Sequence, residues 1–235
     1  SGVYVMDKNT PNLSSVFQTN IKVGTNGNGD ERAFESFKQT LGDSFNISKN
    51  FRRPDAFLAI IIVSDEEDFS SSTDQFNESY SNSKLYTVQS YVNFLDTYTG
   101  GTANGRNYSV SNISIQDQTC LDQLNTSFTG RKIATRYAQL TSLTKGVQGS
   151  LCSDFGNTLT LISDSIVTLS SVFKLTREPI PETIVVTVNG SVVPEDASNG
   201  WTYDSSNLTI TFHGSAVPGA NATIKINFDP KTIKI

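Results

Sequence analysis

His213 is the single histidine of the chain, and that count removes the HExxH zinc helix and the three-histidine metal centre, which need two or more imidazoles. A Ser-His-Asp triad would have to use it. It follows the alternating stretch LTITF and precedes Gly214, which reads as a strand-end histidine at a turn. The two cysteines, Cys120 and Cys152, lie 152 − 120 = 32 positions apart, unlike a CxxC redox or zinc pair. They read as a structural disulfide, worth about 3 to 4 kcal/mol through the entropy of the loop it closes. Two buried thiols are the competing reading. A disulfide would point to an oxidising compartment.

The densest cluster of reactive oxygens is the run Asp65-Glu66-Glu67-Asp68, directly after a strongly apolar stretch. Carboxylates at the carboxyl edge of a parallel sheet sit where ligands bind in open α/β folds. Oxygens of this kind suit Mg²⁺, Ca²⁺ or Mn²⁺, yet the run lacks the alternating acids and central glycine of an EF-hand. A solvated acidic loop that caps a strand is the other reading of the same residues.

Residues 30–41 predict an amphipathic helix, with Asp30 as cap, an acidic first turn, apolar positions 34, 37 and 41, and Gly42 as stop. Residues 57–63 are apolar without alternation and short, the pattern of a strand buried on both faces in a parallel sheet. Leu85, Val88, Val92 and Leu95 share one helical face, residues 108–115 read as β, and residues 131–143 as helix. Residues 145–152 form a glycine-containing strand region, and apolar residues from Phe155 to Phe173 recur at helical spacing. Alternating helix and strand of this kind indicates an α/β layer fold. At residues 177–182 two prolines end that pattern. Beyond them, residues 183–188, 201–203, 208–212 and 222–228 alternate or carry β-branched side chains between Asn-Gly and Pro-Gly turns. The expected organisation is an α/β domain over 1–174 and a small all-β, sandwich-like module over 182–235.

Composition narrows the function classes. The 235 residues carry 18 basic and 23 acidic side chains, a net charge of 18 − 23 = −5, and no basic run exceeds the pair Arg52-Arg53. That argues against a nucleic-acid partner, which needs clustered cations to displace phosphate counterions. The longest apolar run, residues 56–63, falls far short of the roughly 20 residues of a membrane span. Only 17% of residues are charged, so solubility rests on Ser, Thr and Asn, as on many extracellular surfaces. The beginning of the chain shows neither an initiator Met nor a signal-peptide pattern, so any signal peptide is expected upstream. Nine Asn-x-Ser/Thr triplets occur, at Asn12, Asn46, Asn77, Asn107, Asn112, Asn125, Asn189, Asn207 and Asn221. A chain this rich in Asn, Ser and Thr produces such triplets by chance.

Two stretches bear a family resemblance. VGTNGNGD at residues 23–30, running into an amphipathic helix, resembles the second metal loop of the von Willebrand factor A domain, and FLAIIIVSD at 57–65 resembles the buried strand that ends in that family's third-loop aspartate. Tyr137 to Leu143 with Lys145-Gly146 is similar to the approach to the last strand, and residues 155–173 to the closing helix. The resemblance covers about residues 1–173. It implies a three-layer, Rossmann-like sheet flanked by helices, with Thr25 and Asp65 at a metal-ion-dependent adhesion site and Glu66, Glu67 and Asp68 setting the local field. The metal would be Mg²⁺, or Mn²⁺ or Ca²⁺. The family's first motif, an Asp-x-Ser-x-Ser on a first strand, is read as absent from all 235 residues. The domain is therefore expected to be incomplete at its N-terminus, with the first strand upstream or in an N-terminal fragment of the same protein. The alternative is a divergent relative that never bound metal.

Together these readings resemble the secreted A-domain adhesins of predatory bacteria such as Bdellovibrio. They imply a non-enzymatic adhesin, extracellular, on the cell surface or periplasmic, recognising a protein or glycan. A metal-free structural envelope protein is the alternative. A hydrolase has less support, because no nucleophile, base and orienting group occur together in a recognisable arrangement.

Overall fold

The computed structural model describes residues 2–24, 27, 29–53, 56–73, 77–102, 105–126, 130–219 and 222–232. The chain is mixed α/β, with one parallel and two antiparallel three-stranded sheets. Its first part holds α1 (Leu13–Ile21), α2 (Ala33–Gly42), α3 (Ser44–Ser48), β1 (Leu58–Ser64), α4 (Val88–Tyr98), β2 (Tyr108–Ser114), α5 (Gln118–Leu124), α6 (Thr135–Leu143), β3 (Gln148–Ser150) and α7 (Phe155–Ser170). The second holds β4 (Val172–Lys174), β5 (Val185–Val188), β6 (Ser191–Val193), β7 (Trp201–Asp204), β8 (Thr209–Phe212) and β9 (Ile224–Asn227).

In the parallel sheet the order is β1-β2-β3, and Leu58, Ile60 and Ile62 register beside Tyr108, Val110 and Asn112. These side chains share one face. Helices α2, α4 and α6 cover it, contributing Phe34, Leu41, Val88, Tyr91, Val92, Leu95, Tyr137 and Leu140 to a single core. Each large apolar side chain fully removed from water there contributes about 1.5 to 3 kcal/mol. Close approach makes one glycine obligatory: a Cβ on Gly146 would lie 2.0 Å from the carbonyl oxygen of Val110.

The opposite face departs from expectation. Strand β1 is buried on one side only, for Ile61 and Val63 are 44% and 54% exposed. Two causes combine. β1 is an edge strand, and α7 lies over β2 and β3, so close to β3 that a Cβ on Gly149 would meet the Thr158 methyl group. Helix α2 also begins later than predicted, at Ala33 rather than Asp30. Asp30 instead accepts the Asn77 N–H through both carboxylate oxygens, at 3.1 and 3.0 Å.

The closing helix stops at Ser170, and Val172 and Phe173, which helical spacing assigned to it, belong to β4, which pairs antiparallel with β8. The sheets β4-β8-β7 and β6-β5-β9 enclose a second core of Leu175, Ile184, Val186, Trp201, Ile210 and Phe212. The β module therefore begins structurally at β4. Among the described residues no helix is long and apolar enough to cross a membrane.

Candidate functional site

The acidic run leaves the carboxyl end of β1 and divides by role. Asp65 is half exposed; its Oδ2 accepts from Arg131 Nε at 3.0 Å, and its carbonyl accepts the Lys132 N–H at 3.2 Å. Glu67 and Asp68 turn inward and are fully buried. Glu67 Oε2 accepts from the Thr135 hydroxyl and the Arg136 N–H, both at 2.8 Å, at the start of α6. Asp68 Oδ1 accepts the Phe34 N–H of α2 at 2.9 Å and the Ser70 hydroxyl at 2.8 Å, while Oδ2 accepts from Arg136 Nη2 at 3.1 Å. Burial pushes both carboxyls above the usual range, and these donors, with the Arg136 charge, pull back down. Glu67 and Asp68 thus bind α6 and α2 to the end of β1. Each accepts a first-turn N–H of its helix.

Glu66 is the exception in the run. One of its carboxylate oxygens is buried and accepts no hydrogen bond among the described residues. Burial first, then the like charges of Glu78, Glu31 and Asp65, push its carboxyl up to about 7, with Lys132 acting weakly in the other direction. Glu31 is raised too, by burial and then by Asp65. Lys132 is bonded to Glu78 at 3.1 Å, and the Tyr80 hydroxyl closes the corner by donating to the Ile133 carbonyl at 2.7 Å. Four carboxylates therefore crowd one corner at the carboxyl edge, with Arg131 and Lys132 as the nearby cations. These partners come from positions 31, 78, 131 and 132, and no spacing within the run itself could have signalled them.

Thr25 lies outside the described residues. Among the described residues no group of three His, Cys, Asp or Glu side chains is arranged to hold a metal. The lone pairs of Glu67 and Asp68 are committed, and Asp65 is paired. The absence of an Asp-x-Ser-x-Ser must be corrected as a statement about sequence: Asp68, Ser70 and Ser72 spell it. It stands directly after β1, the first strand among the described residues, and there Asp68 accepts the Phe34 N–H at 2.9 Å and the Ser70 hydroxyl accepts the Glu35 N–H at 3.1 Å, both from the first turn of α2.

Cys120 and Cys152 form a disulfide with a Cα separation of 5.7 Å, joining α5 to the turn after β3. His213 follows β8, as expected from the sequence. Its Nε2 is 2.7 Å from the Thr202 hydroxyl, and nearby Asp196 accepts the Ser198 and Asn199 N–H groups of its own turn. Comparison of the chain with protein-family profiles, with curated proteins and with solved structures finds no match.

Proposed function

We propose that the chain is a non-enzymatic binding module of a secreted or surface protein, an A-domain-like adhesin that meets a protein or glycan partner at the acidic corner beyond β1. The observation that carries the reading is Glu66. A carboxylate with an unpartnered buried oxygen, set among Glu31, Asp65 and Glu78, is stabilised by any cation brought to it. Ligands of open α/β sheets bind at this carboxyl edge. The disulfide fits a location outside the cytosol.

Two sources of the compensating charge are compatible with the corner: a Mg²⁺, Mn²⁺ or Ca²⁺ ion completed by Thr25 and further oxygens, as the family resemblance implies, or a lysine or arginine of the partner. Thermal unfolding of the whole chain with and without millimolar MgCl₂, MnCl₂ or CaCl₂ separates them. A divalent ion that raises the melting temperature of the wild type, but not of Asp65→Ala or Glu66→Gln, supports the metal-dependent adhesin. No response to cations, with unchanged capture of an arginine-rich peptide by Glu66→Gln, would remove the corner as a site. The Asp65 to Arg131 pairing favours the second reading, a metal-free structural envelope protein, in that outcome.

A further inference from the structure

At the other end of the parallel sheet lies a cleft of about 690 Å³, within the roughly 300 to 1,000 Å³ of small-molecule sites. It opens where the β module meets the amino ends of β1 and β2. Phe57 and Asn107 precede those strands, Gly100 and Gly101 follow α4, Leu169 lies in the last turn of α7, and Phe173 and Ile224 come from β4 and β9.

Its charges are of one sign. Arg53, Arg106 and Lys174 line it, and no Asp or Glu does so among the described residues, in a chain whose net charge is −5. Arg106 is already held by Asp96, at 2.8 and 3.3 Å, and by the Leu143 carbonyl at 2.8 Å. Arg53 and Lys174 form no ion pair among the described residues. A cleft whose described charges are all cationic, with Arg53 and Lys174 in no ion pair among the described residues, suits an anion, because guanidinium and ammonium groups bond oxyanions strongly, while side chains such as Phe57, Leu169 and Phe173 take an apolar body.

We infer that this cleft is a binding site for a small organic anion, an apolar body bearing a carboxylate, sulfate or phosphate, held by Arg53 and Lys174. The inference is independent of the acidic corner, which occupies the opposite edge of the sheet.

Calorimetry on the whole chain with naphthoate, naphthyl sulfate and naphthyl phosphate, and with neutral naphthol as reference, tests it. Saturable one-site binding of at least one anion, tighter than naphthol, is expected, and the preferred anion identifies the oxyanion class. The double variant Arg53→Gln/Lys174→Gln should weaken that binding by roughly 10-fold to 100-fold, from two lost charge-assisted bonds. Lys8→Gln/Lys49→Gln, which removes the same net charge elsewhere, should leave it unchanged. Absence of saturable anion binding, equal affinity in the cleft variant, or equal loss in the control variant would overturn the assignment. Circular dichroism confirms that each variant is folded before titration.

Discussion

Asp68→Ala should damage the α/β part of this protein far more than Asp65→Ala, although the two residues belong to one acidic run. Asp68 is fully buried and bonded to Phe34, Ser70 and Arg136. Truncating it leaves the Arg136 guanidinium, whose side chain is only 13% exposed, without its carboxylate. Breaking a buried ion pair by removing one partner costs about 3 to 5 kcal/mol, and losing the acceptor at the start of α2 adds about 1 kcal/mol. Asp65, half exposed in its pair with Arg131, should cost about 0 to 1 kcal/mol. Against a typical domain stability of about 5 to 15 kcal/mol, the first change approaches unfolding and the second is minor. Asp68→Asn, which keeps an acceptor for the Phe34 N–H but drops the charge, should fall between them. The assay is urea unfolding followed by far-ultraviolet circular dichroism, which reports the helices. Fluorescence of the single tryptophan, Trp201, buried in the second core, follows the β module in the same samples. A loss below about 1 kcal/mol in Asp68→Ala, or a larger loss in Asp65→Ala, would refute the capping role and return the run to a surface loop.

Reducing the Cys120–Cys152 bond, which spans 32 positions, should lower stability by about 4 kcal/mol in the chain-entropy picture, measured by urea unfolding with and without reductant. Glu66 has a folded pKa near 7, raised from 4.5, so its charging opposes folding. The cost is absent below about pH 4.5, grows as pH rises, and is complete above about pH 7, reaching about 1 to 2 kcal/mol once solvent screening is allowed. Glu66→Gln should therefore stabilise the protein at pH 8 and leave it unchanged at about pH 4, and equal effects at both pH values would contradict the like-charge corner. Gly146→Ala puts a methyl group 2.0 Å from the Val110 carbonyl oxygen and should cost about 1 to 3 kcal/mol or more, read as a lower melting temperature.

Much of the architecture was legible along the chain because it depends on short-range pattern. The spacing of Val88, Val92 and Leu95 marks α4, and the apolar run marks β1. The 32-residue spacing of the cysteines excluded a CxxC site and left a disulfide or two thiols. Val172 and Phe173 were misread as helix because they continue the apolar period of α7, while their partner strand β8 lies more than 30 residues further on. The two-sided burial expected of β1 failed for a similar reason: an apolar run records which residues could be covered, not whether a neighbouring element covers them.

The acidic run shows where sequence reasoning stops. Composition and position determined that four carboxylates would leave the end of a strand, and that mutual repulsion would have to be managed. Tertiary structure alone decided how. It turned Glu67 and Asp68 inward to the starts of α6 and α2, set Arg136 against Asp68, gave Asp65 to Arg131, and left Glu66 among Glu31 and Glu78. The physical reason is that a carboxylate's state depends on the donors and charges within a few ångströms, and here those belong to residues up to 69 positions away.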